Sequence, residues 1–355
     1  MTDLHSVDVG IVGLGNIATL HCNRLADAGL VDVVAGGLDV DPDARAAFAE
    51  EYDVPVYDDP GELYDTVDAV LVTTPNKFHE EYVVGALEAG LDVFVEKPLA
   101  HTVESAERIA AAATDAEGFC MVGFHNRFSK PVQALRAYRD DSLGPFTHVE
   151  ADYIRRRGIP GRGSWFTRKD VAGGGSLIDI GVHSIDLSLY LLGFPEVVEV
   201  SGRTRAEFGS EKQYAYVDMW GADHGADAFD VDDSVTAFIR CADGSTINLE
   251  VAWATNRPDS KQYYFSGPGG GAGLDLGDDT VELYETVGGD VNHHRTTEIE
   301  TQDGDAHGII GERFVEAVAA GEGPGTNTVD QALTVQRVLD AIYRSSERGE
   351  TIQLR

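Results

Sequence analysis

The amino-acid sequence predicts an α/β domain with a parallel sheet, followed by an α+β domain with a mainly antiparallel sheet. In the first third of the chain, short β-branched runs alternate with helical patterns, which is typical of a parallel sheet with right-handed crossovers. Later, strand-like runs follow one another directly, and 355 residues exceed the size at which one hydrophobic core usually stops growing. We therefore expect domains at 1–125 and 126–355, with the last helices able to pack back on the first domain.

The first strand-like run, at 7–12, leads through a glycine-rich turn into a helical pattern. Residues 13–18 read Gly-Leu-Gly-Asn-Ile-Ala, the G-x-G-x-x-A pattern of a dinucleotide site between a strand and a helix. Gly13 permits the tight turn, Gly15 lets the backbone approach a pyrophosphate, and Ala18 keeps the helix close to the sheet. The candidate cofactor contacts in this motif are Gly13, Gly15, Asn16, Ile17 and Ala18.

The next apolar run, at 31–38, ends in an acidic residue that suits NAD. Asp39 lies 21 residues after Ala18, where a carboxylate can accept hydrogen bonds from both ribose hydroxyls and repel a 2′-phosphate. No Arg or Lys immediately follows it, so the sequence favours NAD and leaves NADP open. The alternative is that Asp39 only caps a helix that starts at Pro42.

The alternation of strands and helices continues up to residue 124. We expect helices at 44–52, 78–89 and 102–114, and strands at 54–57, 69–74, 92–96 and 119–124. Ligands of such sheets bind at the carboxyl ends of the strands. The segments predicted to share that edge are 13–18, Asp39, 74–76, 96–98 and 124–127.

One stretch at this edge, residues 93–99, predicts a catalytic lysine. It reads Val-Phe-Val-Glu-Lys-Pro-Leu, an apolar strand that ends in a charged pair and a proline. Pro98 restricts Lys97 to extended conformations, so the strand end aims one lysine at a fixed place. The alternative is a solvated loop after the strand.

The second domain starts with a helix at 131–139, a strand at 146–156 and a basic loop. Residues 155–163 read Arg-Arg-Arg-Gly-Ile-Pro-Gly-Arg-Gly in an otherwise acidic chain. This loop predicts a lid with sugar or phosphate contacts, including Arg156, with Trp165 as a stacking wall. The alternative is a patch of compensating ion pairs.

A glycine-led helix carries the second candidate catalytic group. After three glycines at 173–175, Asp179 and His183 are four residues apart and so project from one helix face. An imidazole beside a carboxylate is a proton-transfer pair. Two alternatives remain, a capping box formed by Ser176 and Asp179, and an ordinary partly buried histidine.

The remainder of the chain predicts an antiparallel sheet and two closing helices. Strands are expected at 197–207, 234–241, 246–254, 263–266, 281–285 and 296–301, and helices at 308–320 and 329–348. Asp243-Gly244 predicts a hairpin turn, and 267–273 predicts a loop. His293 and His294 are adjacent and would face opposite ways on a strand, so we expect no metal site.

The charge balance is unusual, with 61 acidic and 27 basic residues and a formal net charge of −34. Such a field repels nucleic acid and anionic membranes, and it destabilises the compact state by self-repulsion. At molar salt the Debye length falls to about 3 Å and this cost largely disappears, which predicts the cytosol of a salt-accumulating halophile. An ordinary acidic protein with a polyanionic face is the alternative.

The chain shows no signal peptide at its start, and we find no apolar run long enough to span a bilayer, so the sequence predicts a soluble cytoplasmic protein. Cys22, Cys120 and Cys241 are far apart and predict buried thiols rather than disulfides or a zinc site.

Together these residues resemble the Gfo/Idh/MocA family, the group of glucose–fructose oxidoreductase and inositol dehydrogenase. The resemblance lies in Gly13-x-Gly15-x-x-Ala18, Thr74-Pro75-Asn76-x-x-His79, Glu96-Lys97-Pro98 and Gly173-Gly174-Gly175-x-x-x-Asp179-x-Gly181-x-His183-x-x-Asp186. It implies a Rossmann domain, a second domain whose open sheet forms a homodimer or homotetramer interface, and a cis bond before Pro98. One departure is the run 125–128, His-Asn-Arg-Phe, where the family often has an Asn-Arg-Arg-Phe-like run.

The resemblance also implies roles for individual residues. Lys97 matches the catalytic lysine, and Asp179 and His183 match the substrate-positioning acid and the catalytic histidine. Pro75, Asn76 and Glu96 match cofactor contacts of the family. With Thr74, His79 and Lys97 they complete the predicted cofactor contacts, and the predicted substrate contacts are Lys97, Asn126, Arg127, Arg156, Trp165, Asp179 and His183.

We therefore predict an NAD(P)-dependent dehydrogenase of a sugar, sugar derivative or cyclitol. Two alternatives stay open, an enzyme that cleaves or epimerises glycosides without net redox, and a non-catalytic sensor.

Overall fold

The computed structural model describes residues 4–217 and 221–354. These residues form two compact units that do not follow a single cut in the chain. The first contains the chain up to His125 together with Asp305–Gln336, and the second contains Asn126–Gly304 together with the chain from Arg337. The segment 305–336, expected in the second domain, thus clusters with the first unit.

Ten helices and fifteen strands make up the described parts of the two units. In chain order, the helices are α1 (Asn16–Asp27), α2 (Pro42–Tyr52), α3 (Pro60–Tyr64), α4 (His79–Glu88), α5 (Val103–Asp115), α6 (Lys130–Tyr138), α7 (Lys169–Ala172), α8 (Val182–Leu192), α9 (Ala306–Ala320) and α10 (Val329–Arg348). The strands are β1 (Val9–Val12), β2 (Val34–Leu38), β3 (Val56–Tyr57), β4 (Ala69–Val72), β5 (Asp92–Val95), β6 (Cys120–Val122), β7 (His148–Ile154), β8 (Val197–Arg205), β9 (Ser234–Cys241), β10 (Thr246–Ala252), β11 (Ser260–Gly267), β12 (Gly270–Asp275), β13 (Thr280–Val287), β14 (His293–Ile299) and β15 (Ile352–Gln353).

The first unit is built on a parallel sheet, as predicted. Among the described residues its strand order is β3-β2-β1-β4-β5-β6, and every neighbouring pair is parallel. Every residue of β1 and β4 is buried, as expected for central strands of a parallel sheet that helices cover on both faces. The chain order reverses between β1 and β4, and in doubly wound sheets ligands bind at that point.

Helix α3 in this unit was not predicted from the sequence. Asp59 accepts hydrogen bonds from the backbone N–H of Gly61 at 2.8 Å and of Glu62 at 3.3 Å, and Pro60 stands in the first turn. An Asp–Pro pair is a recognised helix start, but a five-residue helix is too short to show periodicity. Residues 31–33, expected as the start of a strand, form a 3₁₀ turn.

The second unit contains the mainly antiparallel sheet that was predicted. Its order in the described chain is β14-β13-β12-β11-β7-β10-β9-β8-β15, and only the β7–β10 pair is parallel. Burial alternates along β9 and β10, so one sheet face is covered and the other is exposed. Gly244 adopts φ +91° in the predicted hairpin turn between these strands.

One expectation for this unit was wrong. Residues 267–273, expected as a loop, include most of β12, which pairs with β11 although its glycines give no strand signal.

The described residues also contain one stretch, Lys169–Leu192, whose length and composition would suit a membrane span. Of its most apolar window, 89% is buried inside the protein, which is what the core helix of a soluble fold also shows.

Candidate active site

The glycine-rich loop after β1 has the shape that a dinucleotide pyrophosphate requires. Gly13 adopts φ +87°, and a Cβ there would lie 2.9 Å from the backbone nitrogen of Thr74. A Cβ on Gly15 would meet no atom within 4 Å, so its backbone is open to a ligand. No side chain of the described residues caps α1, which leaves the first N–H groups of the helix available to phosphate. These residues fit the cofactor.

Asp39 lies beside this loop, as predicted. Its Oδ2 accepts a hydrogen bond from the backbone N–H of Leu14 at 2.7 Å, and its Oδ1 accepts one from Asp41 at 2.8 Å. The cap of α2 is Asp41, whose side chain accepts from the N–H of Asp43 at 2.9 Å. The alternative that Asp39 caps α2 is therefore wrong, and its carboxylate is held against the glycine-rich loop.

His79, predicted to contact the cofactor, positions backbone instead. Only 1% of its surface is exposed, and its ring lies between the carbonyl oxygens of Pro98 (Nδ1, 3.0 Å) and Thr74 (Nε2, 2.9 Å). Burial lowers the pKa of His79 despite these carbonyls, which favours the neutral ring. The ring therefore links the loops after β4 and β5 and has no surface left for a ligand.

Lys97 is half-buried at the end of β5, next to a buried ion pair. Glu96 accepts hydrogen bonds from His21 Nε2 at 2.7 Å and from the backbone N–H of Lys97 at 3.1 Å. Burial alone would raise the pKa of Glu96, but the His21 hydrogen bond and the charges of His21 and Lys97 outweigh it and lower the pKa to about 2. Glu96 is thus a fixed anion that anchors the start of the Lys97 loop. The Lys97–Pro98 bond is cis, as the resemblance implied.

Two further histidines lie in the same unit. The rings of His125 and His307 stack with centroids 3.7 Å apart. Burial lowers the pKa of His307, and the charge of Glu96 opposes this shift. Neither His21 nor His307 was identified from the sequence as a neighbour of Glu96, because nothing local in the chain relates α1 or α9 to the end of β5.

In the second unit, Asp179 and His183 lie on one helical segment. Residues Leu177–Gly181 form a π-helical turn that continues into α8, and 8% of Asp179 and 7% of His183 is exposed. Asp179 Oδ2 accepts a hydrogen bond from Trp253 Nε1 at 2.9 Å. The capping-box alternative is wrong, because Ser176 makes no side-chain cap and Asp179 is held by an indole.

Arg155 of the predicted basic loop lies beside Asp179, and a second cation, Lys261, lies over the ring of Tyr153. Arg155 Nη1 lies 4.0 Å from Asp179 Oδ2, and Lys261 Nζ lies 5.2 Å from the ring centre of Tyr153. Burial would raise the pKa of Tyr153, but the charges of Lys261 and Arg155 outweigh it and lower that pKa. Arg156, the predicted substrate contact, is exposed, since neighbours on an extended chain face opposite ways.

One other predicted substrate contact, Arg127, differs from expectation. Arg127 is fully buried in an ion pair with Asp186, whose oxygens accept from Nε at 3.1 Å and from Nη2 at 2.5 Å. This side chain braces α8 and has no surface for a substrate, so its assignment as a contact was wrong. Asn126 is 5% exposed, and Trp165 is partly exposed with its ring stacked on Phe166 at 3.8 Å.

Comparison with known proteins places the chain in a family. Residues 7–124 match the model of an oxidoreductase family with an NAD-binding Rossmann fold, and residues 132–273 match the GFO/IDH/MocA C-terminal domain. The chain is 32% identical to D-glucoside 3-dehydrogenase of Escherichia coli (strain K12), over 98% of this chain and 97% of the relative. This chain belongs to the Gfo/Idh/MocA family.

Other members support the same assignment. A scyllo-inositol 2-dehydrogenase (NAD(+)) of Bacillus subtilis (strain 168) is 28% identical over 57% of this chain and 58% of the relative. The structure of a levoglucosan dehydrogenase in complex with NADH and levoglucosan superposes with a TM-score of 0.83 at 22% identity, covering 98% of this chain and 99% of the other. The Gfo/Idh/MocA fold and an NAD-binding first domain are therefore established.

Proposed function

We propose that this Gfo/Idh/MocA protein oxidises a secondary hydroxyl of a sugar, sugar derivative or cyclitol, or reduces the corresponding carbonyl, with NAD as cofactor. The observation that carries the proposal is the half-buried Lys97 at the end of β5, on the sheet edge that holds the glycine-rich loop and Asp39. The relatives named above, which act on a D-glucoside, an inositol and levoglucosan, support the substrate class.

In this proposal the protein handles the proton and orients the substrate. Bound NAD supplies the hydride acceptor at C4 of its nicotinamide. His183 takes the proton of the substrate hydroxyl, and Lys97 hydrogen-bonds the same oxygen and stabilises the developing charge. Asp179, oriented by the indole of Trp253, fixes the neighbouring hydroxyl or the imidazole. Arg155, close to Asp179, joins Asn126 and Trp165 as a candidate substrate contact.

The test replaces each proposed catalytic side chain. We expect Lys97→Ala to lower kcat by about 100- to 10,000-fold, the usual size of a general acid–base contribution, while NADH binding stays within about threefold of wild type. His183→Ala should lower kcat similarly and should abolish the acidic limb of the pH–rate profile. The measurement is initial-rate NADH formation with aldoses, glucosides, inositols and anhydrosugars in molar KCl.

The control is Lys212→Ala, which removes an exposed lysine from a loop of the second unit and should leave kcat unchanged. Near-normal turnover of Lys97→Ala would contradict the assignment. Release of free sugar without net NADH would instead identify the redox-neutral alternative.

We further propose that the protein works as a homodimer or homotetramer in the cytosol of a halophilic archaeon. The net charge of −34 supports the salt-rich setting, and it makes nucleic acid or an anionic membrane an unfavourable partner. Phe238 and Tyr264, which are 41% and 48% exposed on strands of the second unit, support self-association. Light scattering in molar KCl would measure the oligomeric state, and a monomer would contradict that part of the proposal.

A further inference from the structure

The helical segment that carries Asp179 and His183 is held at its start by a carboxylate from a distant part of the chain. Asp232 Oδ1 accepts a hydrogen bond from the backbone N–H of Gly175 at 2.8 Å. Its Oδ2 accepts from the backbone N–H of Leu177 at 2.9 Å and from Ser176 Oγ at 2.8 Å. The first N–H groups of a helix lack intrahelical partners, and a negative charge there is favourable. Asp232 therefore acts as the cap that Ser176 does not provide.

The glycines before this helix are explained by the same contact. A Cβ on Gly175 would overlap the carbonyl oxygen of Asp232, which accepts a hydrogen bond from Ser176 N at 2.9 Å. A Cβ on Gly174 would overlap the hydroxyl of Tyr343, which donates to Asp232 Oδ1 at 2.7 Å. Asp232 is 7% exposed, so water replaces these partners poorly. The triple-glycine motif thus lets the Asp232 carboxylate and the Tyr343 hydroxyl approach the helix start.

Asp233, next to Asp232 in the chain, helps to hold Asp179 through Trp253. The carbonyl oxygen of Asp233 accepts a hydrogen bond from the backbone N–H of Trp253 at 2.8 Å. The indole of Trp253 in turn donates to Asp179 at 2.9 Å. The 232–233 dipeptide therefore holds Asp179 at two points, through the start of its helix and through its hydrogen-bond donor.

We propose that Asp232 is a positioning residue that sets the orientation of Asp179 and His183 for the hydroxyl-oxidation step. The observed partners of its carboxylate all belong to the protein, and in this proposal it acts by fixing the register of the helical segment on which both side chains stand. This inference rests on the proposed function, since it concerns the efficiency of that reaction. A displacement of about 1 Å in a reacting group can cost about 100-fold in rate, which is the scale on which such a cap matters.

The test is Asp232→Asn. An amide keeps the volume but offers one acceptor oxygen, so its NH₂ group must face an N–H of Gly175 or of Leu177 that then has no acceptor. We expect kcat, calculated per NADH-binding site, to fall by about 10- to 100-fold, with the KM for NAD within about twofold of wild type. We also expect the acidic limb of the pH–rate profile to shift, because the substitution alters the surroundings of His183.

The matched control is Asp230→Asn, two residues earlier. Asp230 is exposed, and its side chain accepts from the backbone N–H of Lys169 at 2.7 Å, so kcat and the pH profile should stay at wild-type values. A variant of Asp232 that loses thermal stability but keeps the wild-type kcat and pH profile would overturn the proposal and leave a purely structural cap. If Asp232→Asn does not fold, Ser176→Ala is the second variant, because it removes one partner of Asp232 Oδ2 and keeps the backbone hydrogen bonds. A fall in kcat of about three- to tenfold would support the proposal, and an unchanged kcat would oppose it.

An NMR readout separates this inference from the proposed function. The chain has three tryptophans, so the indole N–H signal of Trp253 can be assigned by substitution. Loss of the Asp232 cap should shift this signal upfield as the hydrogen bond to Asp179 lengthens, and an unchanged signal would count against the proposal. This outcome does not depend on turnover, whereas a wild-type enzyme that oxidises no sugar would contradict the proposed function alone.

Discussion

At the scale of single residues, Asp39 shows how one side chain can serve both structure and selectivity. Its two carboxylate oxygens each accept a backbone N–H, from Leu14 and Asp41, which holds the carboxylate beside the glycine-rich loop. Each oxygen keeps a further lone pair for a ribose hydroxyl. The same fixed negative charge would disfavour a 2′-phosphate, and we propose that Asp39 makes this loop select NAD over NADP.

We expect Asp39→Ala to weaken NAD binding by at least about tenfold and to change NADP binding much less, because the substitution removes an acceptor and also a repulsive charge. Fluorescence titration with NADH and NADPH measures both affinities. Asp41→Ala is the control, since it removes the cap of α2 and should lower stability by about 1 kcal/mol without changing the ratio of the two affinities. Equal losses for both cofactors in Asp39→Ala would contradict this role.

At the scale of secondary-structure elements, the junction between β6 and α10 depends on one asparagine. Asn327 is fully buried at φ +57°, in the left-handed region. Its Nδ2 donates to the carbonyl oxygens of Val122 at 2.9 Å and Phe124 at 3.2 Å, and its own carbonyl accepts from Val122 N at 2.9 Å. The chain before α10 is thereby tied to the edge strand of the parallel sheet, next to the predicted site segment 124–127.

We expect Asn327→Ala to lower the free energy of unfolding by about 2–4 kcal/mol, because two buried carbonyls lose a donor and a Cβ-bearing residue other than Asn is strained at positive φ. Asn327→Gly removes the same hydrogen bonds but tolerates the backbone conformation, so it should be less destabilising than alanine by about 1 kcal/mol. Urea unfolding at constant KCl compares the three proteins. If both variants matched the wild type, the junction would not depend on this side chain.

At the scale of the whole molecule, the most unusual feature is the formal net charge of −34, which we expect to govern the response of stability to salt. Among the ion pairs of the described residues, many join side chains that are largely exposed, such as Arg313–Glu316 and Arg168–Asp170, and exposed pairs stabilise little. The excess acidic side chains repel one another in both units, and counter-ions must screen that repulsion.

We therefore expect the midpoint of thermal unfolding to rise by at least about 10 °C between 0.1 M and 2 M KCl, as the Debye length falls from about 10 Å to about 3 Å or less. Circular dichroism during heating provides the measurement. An isosmolar sucrose series is the control, since it raises stability without screening charge. An equal rise of the unfolding midpoint in sucrose and in KCl would argue against electrostatic self-repulsion as the cause.

The sequence alone determined the features that depend on local spacing. The loop at 13–18 needs glycines where the backbone turns and where a ligand approaches, and that need is visible in the motif itself. The parallel sheet follows from the alternation of elements, and the common helical segment of Asp179 and His183 follows from their separation by four residues. The cysteines are buried free thiols, as predicted from their isolation in the chain.

Tertiary structure alone decided which partners these residues have. Glu96 meets His21 across 75 positions, and Asp232 caps a helix that starts more than 50 positions earlier. Arg127 was taken for a substrate contact, but it pairs with Asp186. A buried cation without a buried anion beside it is strongly destabilising, and only the fold shows which anion is near. Local patterns determine which residues can share an element, whereas hydrogen-bond and charge partners are chosen by packing between segments that the sequence does not place side by side.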